Sequence, residues 1–146
     1  MPDRETFERA EEDAREGKSS STQAGEFVRE EMHHVREGKH GVRPPQQAIA
    51  IGLSKARRAG VKLGAPKTGS ATLKKKASQD RKAGRQSQRK KSAKRSRATS
   101  RALKRESRIG ASHQAVSRQA KRAAARRGKP ARSAAATKAA RTRKAA

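Results

Sequence analysis

The sequence predicts a mainly α-helical protein in two parts: a small helical head over residues 1–66 and a largely disordered, conditionally helical basic tail over residues 67–146. Charge defines this division, because the tail holds 28 Lys and Arg against two acids, a net charge of +26, whereas the head is close to neutral at +1. Both aromatic residues, Phe7 and Phe27, lie in the head. With only 30% apolar residues, the chain is too polar to bury a core along its whole length.

The first helix is predicted over Arg4–Glu16. Asp3 stands at the N-cap position, and Gly17 stands where a left-handed residue ends a helix. The helix is strongly acidic because of Glu5, Glu8, Glu11, Glu12 and Asp13, and Phe7 is its only large apolar side chain. We expect it to be marginally stable unless Phe7 docks on another element.

Two further helices are predicted to form an αα hairpin. Ser20 opens a capping-box pattern, and the second helix continues to Gly38. Pro45 occupies the first position of a third helix over Gln46–Ala59, which Gly60 ends. Apolar side chains on the facing stripes form the predicted head core: Phe27, Val28, Met32, Val35, Ile49, Leu53 and Ala56. Because this core is small relative to the entropy of ordering the hairpin, we expect a homodimer through the head or a partner that covers the same apolar face.

The tail is expected to be largely disordered when free, because its like charges repel and its few apolar residues share no period. Ala, Lys and Arg nevertheless favour helix once phosphate neutralises the repulsion. We therefore expect conditional helices over Ala71–Lys82, Arg97–Arg108 and Ser112–Arg127. Gly110 and the Gly128-Lys129-Pro130 segment should interrupt them.

A polycationic tail indicates nucleic acid as the partner. No aromatic residue follows Phe27, so the stacking surfaces used by readers of single-stranded RNA are absent, and double-stranded DNA bound through its backbone is the expected ligand. The alternative is a structured-RNA or ribosome-associated basic protein, which would use the same electrostatics. A further hypothesis is that the acidic first helix folds back on the free tail and masks it. The expected contacts are Lys55, Arg57, Arg58, Lys62, Lys74, Lys75, Lys76, Arg81, Lys82, Arg85, Arg89, Lys90, Lys91, Lys94, Arg95, Arg97, Arg101, Lys104, Arg105, Arg118, Lys121, Arg122, Arg126 and Arg127.

Catalytic and metal sites are not expected. The chain has no cysteine, and it lacks a phosphate-cradling loop, a GxGxxG turn and a nucleophile elbow, so we expect neither an enzyme nor a cofactor. Two overlapping Glu-x-x-His patterns over residues 30–34 have the spacing of carboxylate-bridged metal sites. We expect them to be solvated, because no core encloses them, and His40 and His113 have no partner spacing. The sequence also has no apolar run of the roughly 20 residues that span a membrane, so we expect a cytoplasmic protein at the nucleoid.

The segment QAIAIGLSKARRAGVKL, residues 47–63, resembles the most recognisable stretch of a family of short, basic bacterial proteins of unknown function. Residues 21–32 and 38–41 resemble longer members of that family, so the resemblance covers about residues 17–63. It implies a bacterial, nucleoid-associated setting. The tail is similar in composition to the Lys/Ala/Arg/Ser-rich tails of linker histones and of bacterial histone-like proteins.

Overall fold

The structure is a computed structural model that describes residues 2–66, 69–85 and 92–145. Within these ranges every regular element is helical, so the prediction of a mainly α fold is confirmed. None of the described helices combines the length and the apolar run needed to cross a bilayer. The elements are α1 (Arg4–Arg15), α2 (Ser20–Arg36), α3 (Pro45–Arg58), α4 (Ala71–Arg85), α5 (Ala93–Lys104), a 3-10 turn (Ile109–Ala111), α6 (His113–Arg126) and α7 (Gly128–Ala145).

The beginning of α2 differs slightly from the prediction. Its N-cap is Ser19 rather than Ser20, and the Ser19 hydroxyl accepts a hydrogen bond from the Thr22 N–H at 3.3 Å. Gln23 does not close a capping box, because its side-chain amide donates instead to the carbonyl of Lys18 at 2.9 Å. The run of four hydroxyl residues offers several equivalent caps, so sequence alone places this helix start only to within one residue.

Helix α3 begins and ends as predicted. Pro45 occupies a first-turn position, and Gly60 follows the helix with φ of +100°. The N–H of Val61 donates to the carbonyl of Ala56 at 3.1 Å, which is the long hydrogen bond of a Schellman motif.

Helices α2 and α3 pack closely as a hairpin. A Cβ atom added at Gly52 would lie 2.7 Å from the Val28 Cα and 2.9 Å from the Phe27 carbonyl oxygen, so the two backbones nearly touch there. Of the predicted core residues, four are buried and three partly buried. The buried four are Phe27, Met32, Val35 and Ala56, and the partly buried three are Val28, Ile49 and Leu53.

Two apolar clusters form the core. In the first, Phe27 is fully buried and meets Phe7 of α1 edge to face, with ring centroids 5.6 Å apart. The second joins Met32 and Val35 of α2 to Val42 in the following loop and Ala111 from the tail. The tail therefore supplies part of the core.

The expectation of a largely disordered tail is wrong for the described residues, because the tail is helical and packs on the head. Helix α4 packs on α3, and Gly84 is so close that a Cβ there would lie 2.7 Å from the carbonyl oxygen of Arg58. Further along, Leu103 accepts a hydrogen bond from the Gly41 N–H at 2.9 Å. Small residues make these contacts, so little apolar surface is needed for docking.

The conditional helices predicted for the tail correspond to observed ones. Residues 71–82, 97–108 and 112–127 were expected to be helical, and α4, α5 and α6 overlap these ranges. Ser112 is the N-cap of α6 and accepts a hydrogen bond from the Ala115 N–H at 3.2 Å. The predicted interruptions occur in part. Gly110 lies in the 3-10 turn, and α6 and α7 are separated at Arg127, where Gly128 follows with φ of +73°. Lys129 and Pro130 do not interrupt a helix, because they lie in the first turn of α7.

Candidate nucleic-acid interface

Both acids of the tail are paired with arginines of the head. Asp80, with a side chain only 2% exposed, accepts hydrogen bonds from Arg58 Nε at 3.0 Å and Nη2 at 2.9 Å. Its other oxygen accepts from the Ser54 hydroxyl at 2.8 Å. Glu106 accepts from Arg43 Nε at 2.9 Å. These pairs hold the tail against the head. The other charged side chains of the described tail are all Lys or Arg, and of these Lys76 also lies 3.5 Å from Asp80.

Helix α4 presents a basic face away from its docking face. It docks through Ala77 and Asp80, which are buried. Helical periodicity places Lys75 and Lys82 on the opposite side, where they are exposed and seven residues, or about 10 Å, apart. The flanks of this face carry the remaining exposed cations of the helix: Lys74, Lys76, Arg81 and Arg85.

Helix α5 buries none of its residues. The hydroxyl of the N-cap Ser92 accepts a hydrogen bond from the Arg95 N–H at 3.4 Å. The start of the helix is therefore stabilised by this local hydrogen bond rather than by packing on another element. A helix that is polar on all sides and joined to docked segments is held out towards solvent. Its exposed cations, with that of the C-cap residue, are Lys94, Arg95, Arg97, Arg101, Lys104 and Arg105.

Helix α6 is docked on one side and basic on the other. Ala115 is buried and Val116 packs on the second apolar cluster. Arg118, Arg122 and Arg126 recur every four residues and therefore form one exposed stripe. Lys121 and the C-cap Arg127 are also exposed.

The predicted contacts on α3 are mostly used inside the molecule. Lys55 Nζ lies 2.8 Å from Glu31 Oε2, and Arg58 is the partner of Asp80. Burial lowers the pKa of Lys55, but the carboxylates of Glu31 and Glu30 outweigh burial and the net shift is upward from 10.5. Arg57 donates to the carbonyl of Gly64 at 3.3 Å, and Lys62 is exposed. Three further predicted contacts, Arg89, Lys90 and Lys91, lie outside the described residues.

Helix α1 packs against α2 rather than against the basic helices. Arg9 Nε donates to Glu26 Oε2 at 2.8 Å, which fixes the α1–α2 contact beside the Phe7–Phe27 pair. Burial lowers the pKa of Arg9, but its pairing with Glu26 and Glu5 raises it overall. Among the described helices, the acidic first helix therefore has its partner within the head.

The expectation that the Glu-x-x-His patterns are solvated is wrong for their carboxylates. The side chains of Glu30 and Glu31 are 3% and 1% exposed. His40, which the sequence left without a partner, places Nε2 3.1 Å from Glu31 Oε1. His33 alone behaves as expected, with a side chain 68% exposed.

The sequence contained a signal for this burial. Glu31 lies four residues after Phe27 and four before Val35, so it shares the buried stripe of α2. That position favours a buried carboxylate over a solvated one. Glu30 and Glu31, with His40 and Lys55 beside them, form a polar cluster within the hairpin.

Residues 17–68 match the model of a family of unknown function (DUF6496). Neither a curated protein nor a solved structure matches the chain. The matched region contains α2, α3 and the polar cluster, whereas helices α4 to α7 lie beyond it. The chain is thus similar to that family over its helical hairpin, and the similarity of the tail to linker-histone tails stays a prediction.

Proposed function

We propose that this protein is a non-enzymatic, largely sequence-independent DNA-binding and DNA-condensing protein of the bacterial nucleoid. The observation that carries the proposal is the pairing of both tail carboxylates with head arginines. Every other charged side chain of the tail is a Lys or an Arg. A polyanion approaching the described tail helices therefore meets positive charge without acids to repel it.

Backbone recognition follows from the residue types on these helices. Lys and Arg at helical spacing bind phosphates well, whereas base readout needs side chains placed against base edges. The docked helices α4 and α6 offer fixed basic faces, and α5 and α7 offer basic helices with few contacts to the rest. Several basic faces on one chain favour bridging of separate duplex segments, which is the basis for proposing condensation.

The direct test is a salt series of binding to a random duplex of about 30 base pairs. The full chain should bind with an affinity that falls steeply from about 50 to about 200 mM salt and that does not depend on sequence. Removal of residues 128–146 deletes α7 with six cations, so it should lower the slope of log affinity against log salt by up to about five. Weak binding with a slope near zero would refute the proposal.

Point variants locate the interface more finely. Lys75→Gln and Lys82→Gln on the outer face of α4 should each weaken binding and reduce the salt slope by about one. Lys39→Gln is the matched control, since this exposed head lysine is paired with Glu37 at 3.1 Å. Equal effects of the three substitutions would mean that only net charge matters and that α4 is not part of the interface.

Competition between duplex DNA and structured RNA at fixed salt tests the alternative. A preference for RNA would favour a structured-RNA or ribosome-associated protein, because A-form helices present the same phosphates in a different groove geometry. Equal or stronger binding to duplex DNA supports the nucleoid assignment.

The expected homodimer is a separate part of the proposal. Much of the apolar face that was expected to recruit a partner is covered within the chain, by Phe7 on one cluster and by Ala111 on the other. A groove of about 980 Å³ between α3 and α4 remains, and Ile51, Leu53 and Leu73 lie along it. Sedimentation of the full chain should show a dimer if this groove is used, and a monomer mass alone would exclude it.

A further inference from the structure

The polar cluster between α2, α3 and the α2–α3 loop contains more buried negative charge than the protein neutralises. Glu30 and Glu31 are almost fully buried, and the ammonium of Lys55 is the only Lys or Arg group paired with them in the described structure. Lys55 Nζ lies 3.2 Å from Glu30 Oε1 and 2.8 Å from Glu31 Oε2. With neutral imidazoles, two carboxylates and one ammonium leave one buried negative charge, which is costly in a protein interior.

The hydrogen bonding of these carboxylates is also incomplete. Neither oxygen of Glu31 has a hydrogen-bond partner of acceptable geometry among the described residues, and the same is true of Glu30 Oε2. The short distance between Lys55 and Glu31 is therefore an ion pair with poor hydrogen-bond angles. A carboxylate that is 1% exposed and accepts no well-aligned hydrogen bond at either oxygen is a candidate ligand for a cation.

Two imidazoles lie beside these oxygens. Donor atoms of Glu31, His34 and His40 all lie within 4.8 Å of one another. The side chains of His34 and His40 are 12% and 17% exposed, so the cluster is close to the surface and an ion has a path into it. Two His nitrogens and a carboxylate oxygen form the ligand set that divalent transition metals such as Zn²⁺ prefer.

We propose that Glu31, His34 and His40 bind a divalent transition-metal ion of the Zn²⁺ type. The ligand atoms of a tetrahedral Zn²⁺ site lie about 3.4 Å apart, so these donor atoms need to approach one another by up to about 1.4 Å, which side-chain rotation provides. The ion supplies the missing positive charge, and Lys55 moves from Glu31 to Glu30 alone. The proposal is independent of nucleic-acid binding, since none of these groups lies on the basic faces of the tail helices.

The surroundings of His34 fit a metal ligand. Its Nε2 lies 3.2 Å from Asp3 Oδ2, and its Nδ1 lies 3.7 Å from Glu30 Oε1. Whichever nitrogen binds the ion, the other remains beside a carboxylate that orients the ring. Asp3 is the N-cap of α1, yet its carboxylate makes no capping hydrogen bond and is directed to His34 instead. The site thereby connects α1, α2 and the loop before α3.

The test uses the full-length protein, freed of nucleic acid, with Zn²⁺ as the probe. Zn²⁺ should shift the imidazole NMR signals of His34 and His40 and saturate near one equivalent, while those of His33 and His113 stay in place. Mg²⁺ should shift none of them, because it prefers oxygen ligands in octahedral geometry. Unchanged His34 and His40 signals at excess Zn²⁺ would overturn the proposal, and no substitution is needed for this result.

Affinity measured by competition with a chromophoric chelator gives the second test. His40→Ala should weaken Zn²⁺ binding at least about tenfold. His33→Ala is the matched control, because His33 is an exposed imidazole on α2 next to His34 and its Nδ1 lies 3.0 Å from Glu37 Oε1. Circular dichroism verifies that each variant is folded. Loss of binding in His33→Ala, with His40→Ala unaffected, would mean that the surface His33–Glu37 pair takes the ion and would overturn the proposal.

Discussion

Asp80→Ala is the sharpest probe of how the tail is held. The substitution removes the hydrogen bonds that Asp80 accepts from Arg58 and Ser54, with distances of 2.8 to 3.0 Å. Hydrogen bonds to a charged group contribute about 1.5–3 kcal/mol each. Arg58 is 46% exposed, so solvent screens its charge and water solvates its guanidinium in the variant. The contribution of its hydrogen bonds to docking is therefore reduced. Alanine also favours helix by a few tenths of a kcal/mol relative to Asp. We therefore expect the free energy of docking of α4 to fall by about 2–3 kcal/mol.

Native-state hydrogen exchange measures this loss directly. Because each 1.4 kcal/mol is a factor of ten, the amides of α4 should exchange about 30 to 150 times faster. Amides of α2 should change less, since the hairpin core does not depend on Asp80. Lys75→Ala is the matched control on the same helix, because Lys75 is exposed on the face of α4 opposite Ala77 and Asp80. If α4 exchanges equally in the two variants, Asp80 does not hold the tail, and the packing of Ala77 and Gly84 must do so.

Three further predictions concern stability. Gly52→Ala should lower the melting temperature and reduce the free energy of unfolding by about 1–3 kcal/mol, because its Cβ would lie 2.7 Å from the Val28 Cα. Gly25→Ala is the control: its Cβ would meet no atom within 4 Å, so it should raise the free energy of unfolding by about 0.5–1 kcal/mol. Equal effects of the two substitutions would contradict the close approach of the helices. Lys55→Met should destabilise by about 3–5 kcal/mol in denaturant titration without added metal, since it leaves two buried carboxylates without a cation, and a neutral result would mean that they are protonated. A hydrogen bond from Lys39, then one from His33, lowers the pKa of Glu37 below 4.5. Its ionised form therefore stabilises the fold above that pH, and the stability difference between wild type and Glu37→Gln should shrink as pH falls through the lowered pKa; a constant difference would refute this.

Local signals in the sequence predicted the helical hairpin well. Pro45 and Gly60 bound α3 because each has a backbone preference that acts without help from tertiary contacts. The apolar stripe of α2 identified Phe27 and Val35 as core for the same reason, since helical spacing is a local property. Where several equivalent caps compete, as at Ser19, the boundary shifted by one residue.

The docked tail could not be predicted in this way. Its contacts use Ala77 and Gly84 against α3 and Gly110 against the loop at Val42. Small residues give no periodic apolar signal in the sequence. They nevertheless allow two backbones to approach closely, so that a small buried area still forms a well-defined contact. The single buried acid of α4 was visible in the sequence, but its partner Arg58 is 22 residues away, and no local rule connects them.

The polar cluster was missed for a different reason. The chemical type of Glu31 favours exposure to solvent, whereas its position between Phe27 and Val35 on the apolar stripe favours burial. Position decided the outcome, because Lys55 on α3 supplies a counter-ion that the sequence of α2 alone does not show. A buried carboxylate on one helix of a hairpin is thus predicted by finding a cation at a facing position on the other helix.

The isolation of α5 has a consequence for protease action. Trypsin cuts after Lys and Arg, and α5 offers such residues on a helix that buries nothing. A cut in α5 leaves the segment that follows still bound to the head, because the N–H groups of Gly41 and Val42 donate hydrogen bonds to the carbonyls of Leu103 and Ser107. Arg36 also donates to the carbonyl of Ala111 at 2.9 Å. The nicked protein should therefore remain together as a two-chain complex, separating only when the head itself unfolds.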